Sequence, residues 1–209
     1  MTAVAPTLEK QTVAEVDPIV LHFKPVLKKL SDDEFLEFCN LNEEWRFEVT
    51  SKGDLEIMMP SGPDTSRRNA WLISALVIWA EKDGTGQYFE SNVMFKLPNG
   101  AKRSPDLSWI SNERWETVKV AKGDPIRMIC PDFVVELRSW TDRLKPLKKK
   151  MQEYLDNGAQ LGWLIDPRNK KVYVYRPDAP VEELDEPETL SGEPLLCGFV
   201  LPTDRLWKK

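Results

Sequence analysis

The clearest pattern of hydrophobic and polar positions runs from residue 131 to residue 154. An apolar, β-branched run over 133–137 is typical of a central strand that is covered on both faces. Glu136 interrupts that run, and an acid inside such a strand is costly to bury unless a cation or a metal meets it. The next segment predicts a basic helix, because its apolar residues share one face at about 100° per residue. That apolar stripe consists of Leu144, Leu147, Met151, Tyr154 and Leu155.

The remaining pattern predicts alternating strands and helices. Ser31 and Glu34 form a capping box for a short helix, and a hairpin of Trp45–Val49 with Leu55–Met59 follows. Further along we expect a helix over 66–82 capped by Asp64 or Thr65, strands over 88–97, 102–110, 161–165 and 171–176, a short helix over 112–118, a surface loop over 177–194 and a closing strand within 195–207. This order predicts an α/β (α+β) fold with one mixed sheet flanked by helices.

A second acid lies near the start of another predicted strand. Asp106 belongs to the segment SPDLSWI, and 29 residues separate it from Glu136. If the two strands are neighbours, both carboxylates can converge. Two carboxylates with a backbone carbonyl make a hard oxygen site, which suits Mg²⁺ or Mn²⁺ and suits Zn²⁺ poorly.

Length and composition narrow the class of protein. The chain has 209 residues, which suits one domain over 18–209 after a disordered tail over 1–17. Its three cysteines form no CxxC pair, which indicates a reducing compartment. With no signal peptide and no apolar run long enough to span a membrane, we expect a soluble, cytoplasmic protein. The net charge of −5 counts against a general nucleic-acid coating protein but allows a local basic patch.

The single histidine limits the catalytic alternatives. His22 lies in a Pro-flanked segment, so Ser-His-Asp and Cys-His mechanisms are disfavoured. A glycosidase-like carboxylate pair is a weaker reading, because it predicts no metal dependence and gives Lys150 no role.

The lysines of the predicted helix differ in their expected surroundings. Lys149 lies opposite the apolar stripe, in solvent, whereas Lys150 flanks the stripe beside Tyr154. A flanking lysine can lay its stem along the apolar surface and place its ammonium near an acid. Lys145 and Lys148 are expected to belong to a solvated face.

An ordered set of motifs resembles a known family. The motifs are SPDLSWI, PDFVVELRS, a helix with Lys-x-x-x-Tyr, an Asn-Gly pair and GWLIDP, preceded by the hairpin RFEVTSKGDLEIMMPSG. Over about residues 31–176 they resemble the Uma-type family of restriction-endonuclease-like proteins, in the PD-(D/E)XK nuclease superfamily. The resemblance implies a restriction-endonuclease-like mixed sheet with helices on both sides.

The resemblance also implies roles for individual residues. Asp106 and Glu136 match the two motif acids, and Lys150 matches the family's helical lysine. Glu48 matches an acid on the first strand that is often close to the metal. Two departures are Arg138, which occupies the superfamily's lysine position and cannot act as a base, and Thr65, which stands where many relatives have a histidine.

The function implied is metal-dependent hydrolysis of phosphodiester bonds in nucleic acid, with DNA the expected substrate. Mg²⁺ or Mn²⁺ would bind Asp106, Glu136 and the Leu137 carbonyl, with Glu48 nearby, and Lys150 would act beside them. Arg138 and Arg143 are candidate contacts to flanking phosphates, with ordinary salt bridges as the alternative. A homodimer is a further expectation, because a duplex has two strands to cut. The alternative from another class is an inactive binding or accessory protein that keeps the nuclease fold.

Overall fold

The computed structural model describes residue 15 and the ranges 19–22, 30–118 and 126–208. The predicted tail over 1–17 therefore lies almost wholly outside the described residues. The described strands are β1 (Ile19–Leu21), β2 (Arg46–Val49), β3 (Leu55–Met58), β4 (Gly86–Glu90), β5 (Phe95–Lys96), β6 (Lys102–Arg103), β7 (Leu107–Ser111), β8 (Phe133–Leu137), β9 (Leu161–Asp166), β10 (Lys171–Tyr175), β11 (Glu182–Asp185), β12 (Thr189–Ser191) and β13 (Val200–Pro202). The described helices are α1 (Asp32–Leu41), α2 (Pro63–Asp83), α3 (Asn112–Thr117), α4 (Leu144–Asp156) and α5 (Asp204–Trp207).

The strands form three sheets rather than the single sheet expected from the sequence. The largest has the order β11-β10-β9-β8-β7-β4, a five-stranded sheet has the order β1-β3-β2-β6-β5, and β12 pairs with β13. In the six-stranded sheet β8 and β9 run parallel, and the other pairs are antiparallel. The α/β class with a mixed sheet flanked by helices is confirmed.

Helices cover both faces of the six-stranded sheet, and β8 shows this most clearly. Phe133, Val135 and Leu137 pack in one apolar cluster with residues of α2. Val134 packs in a second cluster, with Met151 and Tyr154 of α4. Since successive side chains of a strand point to opposite faces, Glu136 lies on the same side as Val134, facing α4.

A glycine allows α4 to lie close to the sheet. A Cβ atom built at Gly162, on β9, would lie 2.5 Å from the Met151 methyl group. A larger residue there would therefore displace the Met151 methyl group, the flexible end of that side chain, from its contact with β9.

The helix boundaries follow the capping signals in part. The capping box is present, with the Ser31 N–H donating to Glu34 Oε2 at 2.7 Å and the Glu34 N–H donating to Ser31 Oγ at 3.2 Å. The expected caps of α2 are wrong, because the helix begins at Pro63 after Gly62. Proline suits the first helical position, since its fixed φ is helical and its missing N–H would have no partner there.

Three expected segments are divided or more regular than predicted. The segment 88–97 is broken by a turn after Glu90, and the segment 102–110 is broken at Ser104 and Pro105, where proline cannot donate to a strand ladder. The predicted loop over 177–194 contains β11 and β12. The acidic composition suggested a loop, but these residues form the charged edge strand β11, in which Glu183 pairs with Lys171 of β10.

Candidate active site

The two motif acids meet where β7 and β8 lie side by side. These strands are antiparallel, with Leu107 opposite Val135, and the same register places Asp106 opposite Glu136. Asp106 Oδ2 accepts a hydrogen bond from the Leu137 N–H at 2.8 Å. Asp106 itself lies just before β7, in the short connection that Pro105 forces. The structure therefore brings the two acids to neighbouring positions on the α4 side of the sheet.

Two side chains of α4 converge on Glu136. Lys150 Nζ lies 2.9 Å from Glu136 Oε1, and the Tyr154 hydroxyl donates to the same oxygen at 3.0 Å. Lysine and tyrosine are four residues apart, so they lie one above the other on a single helix face. The spacing Lys-x-x-x-Tyr therefore delivers a cation and a hydroxyl to one buried carboxylate.

Glu48 of β2 holds the other side of the same ammonium. Its Oε1 lies 2.8 Å from Lys150 Nζ and accepts from the Ser104 N–H at 2.9 Å. Its Oε2 lies 3.0 Å from Arg103 Nη1. Both oxygens thus have donors, and Glu48 orients Lys150. Its predicted role as a metal ligand stays a prediction.

Arg103 extends the network. Its Nε lies 2.7 Å from Glu153 Oε2, and its Nη1 also pairs with Glu56. Together with Glu48, Glu136 and Asp106, these acids make five carboxylates, which share the charges of Lys150 and Arg103; the charge of Arg46 also acts on Asp106. Such an excess of negative charge in a buried place is costly unless protons or a further cation balance it.

The pKa values follow this imbalance. Burial raises the pKa of Glu136 to about 7; Lys150 opposes the shift, and the charges of Asp106 and Glu48 add to it. Burial also raises the pKa of Asp106, although the Leu137 N–H and Lys150 oppose the shift. Burial alone would raise the pKa of Glu48, but Lys150 and Arg103 outweigh it and hold that pKa below its usual range. Glu48 is the firmly ionised acid, and Glu136 is the one with the least compensated charge.

Lys150 is held as a cation. Burial would lower its pKa, but Glu136 and Glu48 together raise it above the usual range. The side chain is 9% exposed, whereas Lys149 is exposed. Lys150 therefore acts as a donor and a charge at neutral pH, and it does not act as a base.

The donor atoms suit a hard divalent cation. Asp106 and Glu136 offer carboxylate oxygens whose charge is incompletely neutralised, and a cation would displace the proton that burial favours. Over the part of the chain that the structure describes, no three acidic, histidine or cysteine side chains form a metal-holding group by themselves. A further oxygen must come from elsewhere, such as the backbone or an amide.

Asn69 offers such an oxygen and was not found from the sequence. Its Nδ2 lies 3.3 Å from Asp106 Oδ1, and its Oδ1 is buried without a donor among the described residues. A buried acceptor of this kind needs a donor or a cation, and either a water molecule or a metal ion would satisfy it. The sequence gives little indication of this role for Asn69, because a single polar residue on a partly exposed face of α2 looks like any solvated position.

The predicted phosphate contacts differ in their surroundings. Arg138 is 4% exposed, and its guanidinium pairs with Asp166 at 2.7 Å and with Glu15 at 2.7 Å. Its Nε also donates to the Asp142 carbonyl at 3.0 Å. Every guanidinium nitrogen therefore has a protein partner, which gives Arg138 a bracing role between β8 and β9. Arg143 is exposed at the N-cap of α4, and its phosphate contact stays a prediction.

The other residues singled out in the sequence make no contact with Asp106, Glu136 or Lys150 among the contacts described above. Lys145 is exposed as expected, but Lys148 is half-buried, with its Nζ 3.7 Å from the centre of the Tyr173 ring. The expectation of a fully solvated Lys148 is therefore wrong, because α4 lies close enough to β10 for a cation–π contact. Thr65 is buried in α2, and His22 lies 2.9 Å from Asp54.

Buried acids at the two ends of β8 show why Glu136 stands apart. Asp132, just before the strand, accepts from the Ser111 N–H at 2.9 Å and pairs with Arg114. Each oxygen of Asp132 has its own donor, and this acid does not join the Asp106 and Glu136 pair. Glu136 must instead share Lys150 with Glu48.

The fold is that of a nuclease-like protein. A crystal structure of a "putative nuclease belonging to DUF820" from Anabaena variabilis superposes with a TM-score of 0.68, covering 85% of this chain and 97% of that chain at 24% identity. Residues 32–204 match the Uma2 family, which is described as "Putative restriction endonuclease". The chain therefore belongs to the Uma2 family, as the motifs predicted. A comparison with curated proteins gives no match.

The described helices also bear on the expected absence of a membrane span. None of them combines the length and the apolar composition needed to cross a bilayer.

Proposed function

We propose that this chain is a metal-dependent endonuclease that hydrolyses phosphodiester bonds of nucleic acid, with DNA as the substrate. The observation that carries the proposal is the buried pair of Asp106 and Glu136, with the Lys150 ammonium 2.9 Å from Glu136. Membership of the Uma2 family and the nuclease-like fold support the same class of reaction. Two buried acids with raised pKa values that lie opposite one another beside a cation are typical of a functional site.

Asp106, Glu136 and the Leu137 carbonyl would hold Mg²⁺ or Mn²⁺, with Asn69 Oδ1 as a further oxygen donor. When bound there, a divalent ion lowers the pKa of water and offsets negative charge on the phosphate. Because the pKa of Glu136 lies near 7, this carboxylate can exchange its proton for a cation at neutral pH.

The chain's own residues supply positioning and charge. Glu48 and Tyr154 keep Lys150 and Glu136 in fixed positions, so neither has to reorganise during the reaction. Lys150 remains protonated and would stabilise the negative charge that develops on the phosphate oxygens. The ammonium is well placed for this, because Lys150 reaches Glu48 and Glu136 from α4 and not from β8.

An inactive nuclease-fold binding protein remains the second candidate, favoured by the two protein carboxylates that already surround Lys150. The two candidates differ in one measurement. We expect the purified chain to cut DNA only with Mg²⁺ or Mn²⁺, and Glu136→Ala to abolish cutting, a loss of roughly 10²-fold or more. Plasmid, single-stranded DNA and RNA would be compared as substrates.

Glu113→Ala is the matched control, since Glu113 is exposed at the start of α3. It should cut as the wild type does. Binding of nucleic acid without cutting, in every divalent ion tried, would favour the accessory role. Cutting that persists in Glu136→Ala would point to a contaminating nuclease. Gel filtration of the same samples would test the proposed homodimer.

Asn69→Ala is expected to weaken Mg²⁺ binding by roughly 10-fold to 100-fold, because it removes both the donor to Asp106 and the buried amide oxygen. The measurement is the rise in thermal midpoint with Mg²⁺, which does not require catalysis. Asn112→Ala is a suitable control, because the Asn112 amide donates to the Gly84 carbonyl at a distant turn. An unchanged Mg²⁺ response in Asn69→Ala would remove Asn69 from the ligand set.

A further inference from the structure

A basic cleft lies between α2 and α5, apart from the Asp106 and Glu136 site. Its volume is about 480 Å³, a size typical of small-ligand sites. The cleft is lined by Arg67, Ala70, Trp71, Ser74, Arg205 and Lys208. Three of these six side chains are cationic and none is acidic, in a chain whose net charge is −5.

The cations are held in place by backbone carbonyls as much as by acids. Arg67 Nη2 donates to the Lys208 carbonyl at 2.9 Å. Just behind the cleft, buried Arg68 donates to the Leu206 carbonyl at 2.7 Å and to the Lys208 carbonyl at 3.0 Å. Among the described residues no carboxylate lies within ion-pair distance of Arg68. Burial lowers the pKa of Arg68; the charge of Asp64 opposes this shift, and the charge of Arg67 adds to it.

The acids near the cleft leave its charge largely uncompensated. Arg67 lies 3.9 Å from Asp64, and Lys208 lies 2.7 Å from Asp204, but all four side chains are at least 49% exposed. Exposed ion pairs of this kind contribute little and exchange readily for other partners. An anion entering the cleft would therefore meet cations whose acidic partners exchange readily.

Trp71 adds a donor that the protein does not use. Its Nε1–H is buried and has no acceptor among the described residues. The Arg205 guanidinium lies 4.2 Å from the centre of the Trp71 ring, so the indole also fixes one of the cations. The Nε1–H groups of Trp109 and Trp163 are unpaired as well, so it is the three cations beside Trp71 that point to oxygen atoms carrying negative charge.

We infer that this cleft binds a phosphate group, presented either by a nucleotide or by the backbone of a nucleic acid. Arg67, Arg205 and Lys208 would meet its charge, and the Trp71 N–H would donate to an oxygen. Arginine suits this role because its planar fork matches phosphate geometry. The inference does not depend on catalysis, because none of these residues belongs to the Asp106 and Glu136 site.

The test uses the full chain carrying Glu136→Gln, without divalent ions, so that no substrate is cut. Inorganic phosphate, thymidine monophosphate and a short oligothymidylate are titrated by calorimetry, while the indole N–H signals are followed by NMR. Trp71→Phe identifies the Trp71 signal and keeps an aromatic ring under Arg205. We expect each bound ligand to shift that signal, and Arg205→Gln to weaken binding roughly 10-fold to 100-fold.

Lys149→Gln is the charge-matched control, because exposed Lys149 lies on α4 and not in the cleft. Equal binding of phosphate and mononucleotide would identify a site for small phosphate compounds. Much tighter binding of the oligonucleotide, weakening with salt, would identify a contact to the nucleic-acid backbone. The inference is overturned if no ligand shifts the Trp71 signal, or if Lys149→Gln weakens binding as much as Arg205→Gln. This binding test does not depend on the cutting assay. If the chain proves unable to cut nucleic acid, the measured phosphate binding, or its absence, still decides the inference.

Discussion

Lys150→Ala is expected to abolish metal-dependent cleavage and to lower the free energy of unfolding by about 3–5 kcal/mol. The physical reason is that the ammonium lies between two buried acids, 2.8 Å from Glu48 Oε1 and 2.9 Å from Glu136 Oε1. Removing the ammonium leaves the negative charges of Glu48 and Glu136 facing one another, buried away from solvent. Cutting by the variant should fall by roughly 10²–10³-fold, because the donor to the developing charge is lost.

Lys149→Ala provides the control for that experiment. Its side chain is exposed on the same helix, so the free energy of unfolding should change by about 0.5 kcal/mol or less. Urea unfolding and a plasmid-cutting assay would be run on both variants. The stability loss in Lys150→Ala should shrink at pH 5, because protonation of Glu136 removes the uncompensated charge. Equal effects from both substitutions would mean that α4 contributes only a basic surface.

The second large effect concerns pH and Mg²⁺ at Glu136. Its pKa rises from an ordinary 4.5 to about 7 in the folded chain. Between these values the folded protein keeps a proton that the unfolded protein has released. The stability contributed by Glu136 is therefore present below pH 4.5, falls as the pH rises through this window, and is lost above pH 7. The loss from this group amounts to roughly 3 kcal/mol.

Glu136→Gln should remove that dependence. Between pH 5 and pH 8, the wild type should lose more stability than the variant, and Mg²⁺ should restore the wild type at pH 8 much more than at pH 5. Thermal midpoints at both pH values, with and without Mg²⁺, would measure this. Glu113→Gln should behave as the wild type does. Identical Mg²⁺ responses in wild type and Glu136→Gln would place any metal site elsewhere.

The sequence allowed much of this site to be predicted because its members carry strong local signals. Glu136 interrupts an otherwise apolar strand, and Lys150 and Tyr154 share a helix flank that any α-helix would create. Local periodicity determines both features, and the structure places these three side chains in contact. Asp106 was also predicted as a neighbour of Glu136, since the intervening segment is long enough to return.

The features that could not be predicted depend on contacts between residues far apart in the sequence. Arg103 lies in a short strand after a turn, and nothing local indicates that it meets Glu48, Glu56 and Glu153 from three other elements. The division into separate sheets was missed for a similar reason. Strands as short as β5 and β6 have too few residues for a period, so only their partners define them.

The ion pairs of Arg138 are another feature that the sequence does not predict. Arg138 is a candidate phosphate contact with an ordinary salt bridge as the alternative; Asp166 and Glu15 each lie 2.7 Å from its guanidinium, and the phosphate contact stays a prediction. Asp166 ends the neighbouring strand β9, which runs parallel to β8. A sequence gives no register between two parallel strands, so the partner of an arginine at the end of one cannot be read from it.

The arrangement of Lys150 has a consequence for how heat would affect the proposed activity. Glu48 belongs to the five-stranded sheet, whereas Glu136 belongs to the six-stranded sheet, and the ammonium joins them. The charges of the site are therefore assembled only while the two sheets are docked. A partial opening of the β2–β3 hairpin would disperse them while α4 and the larger sheet remain folded. The proposed cutting activity would thus depend on the docking of the two sheets, and heating should abolish it before α4 and the larger sheet unfold.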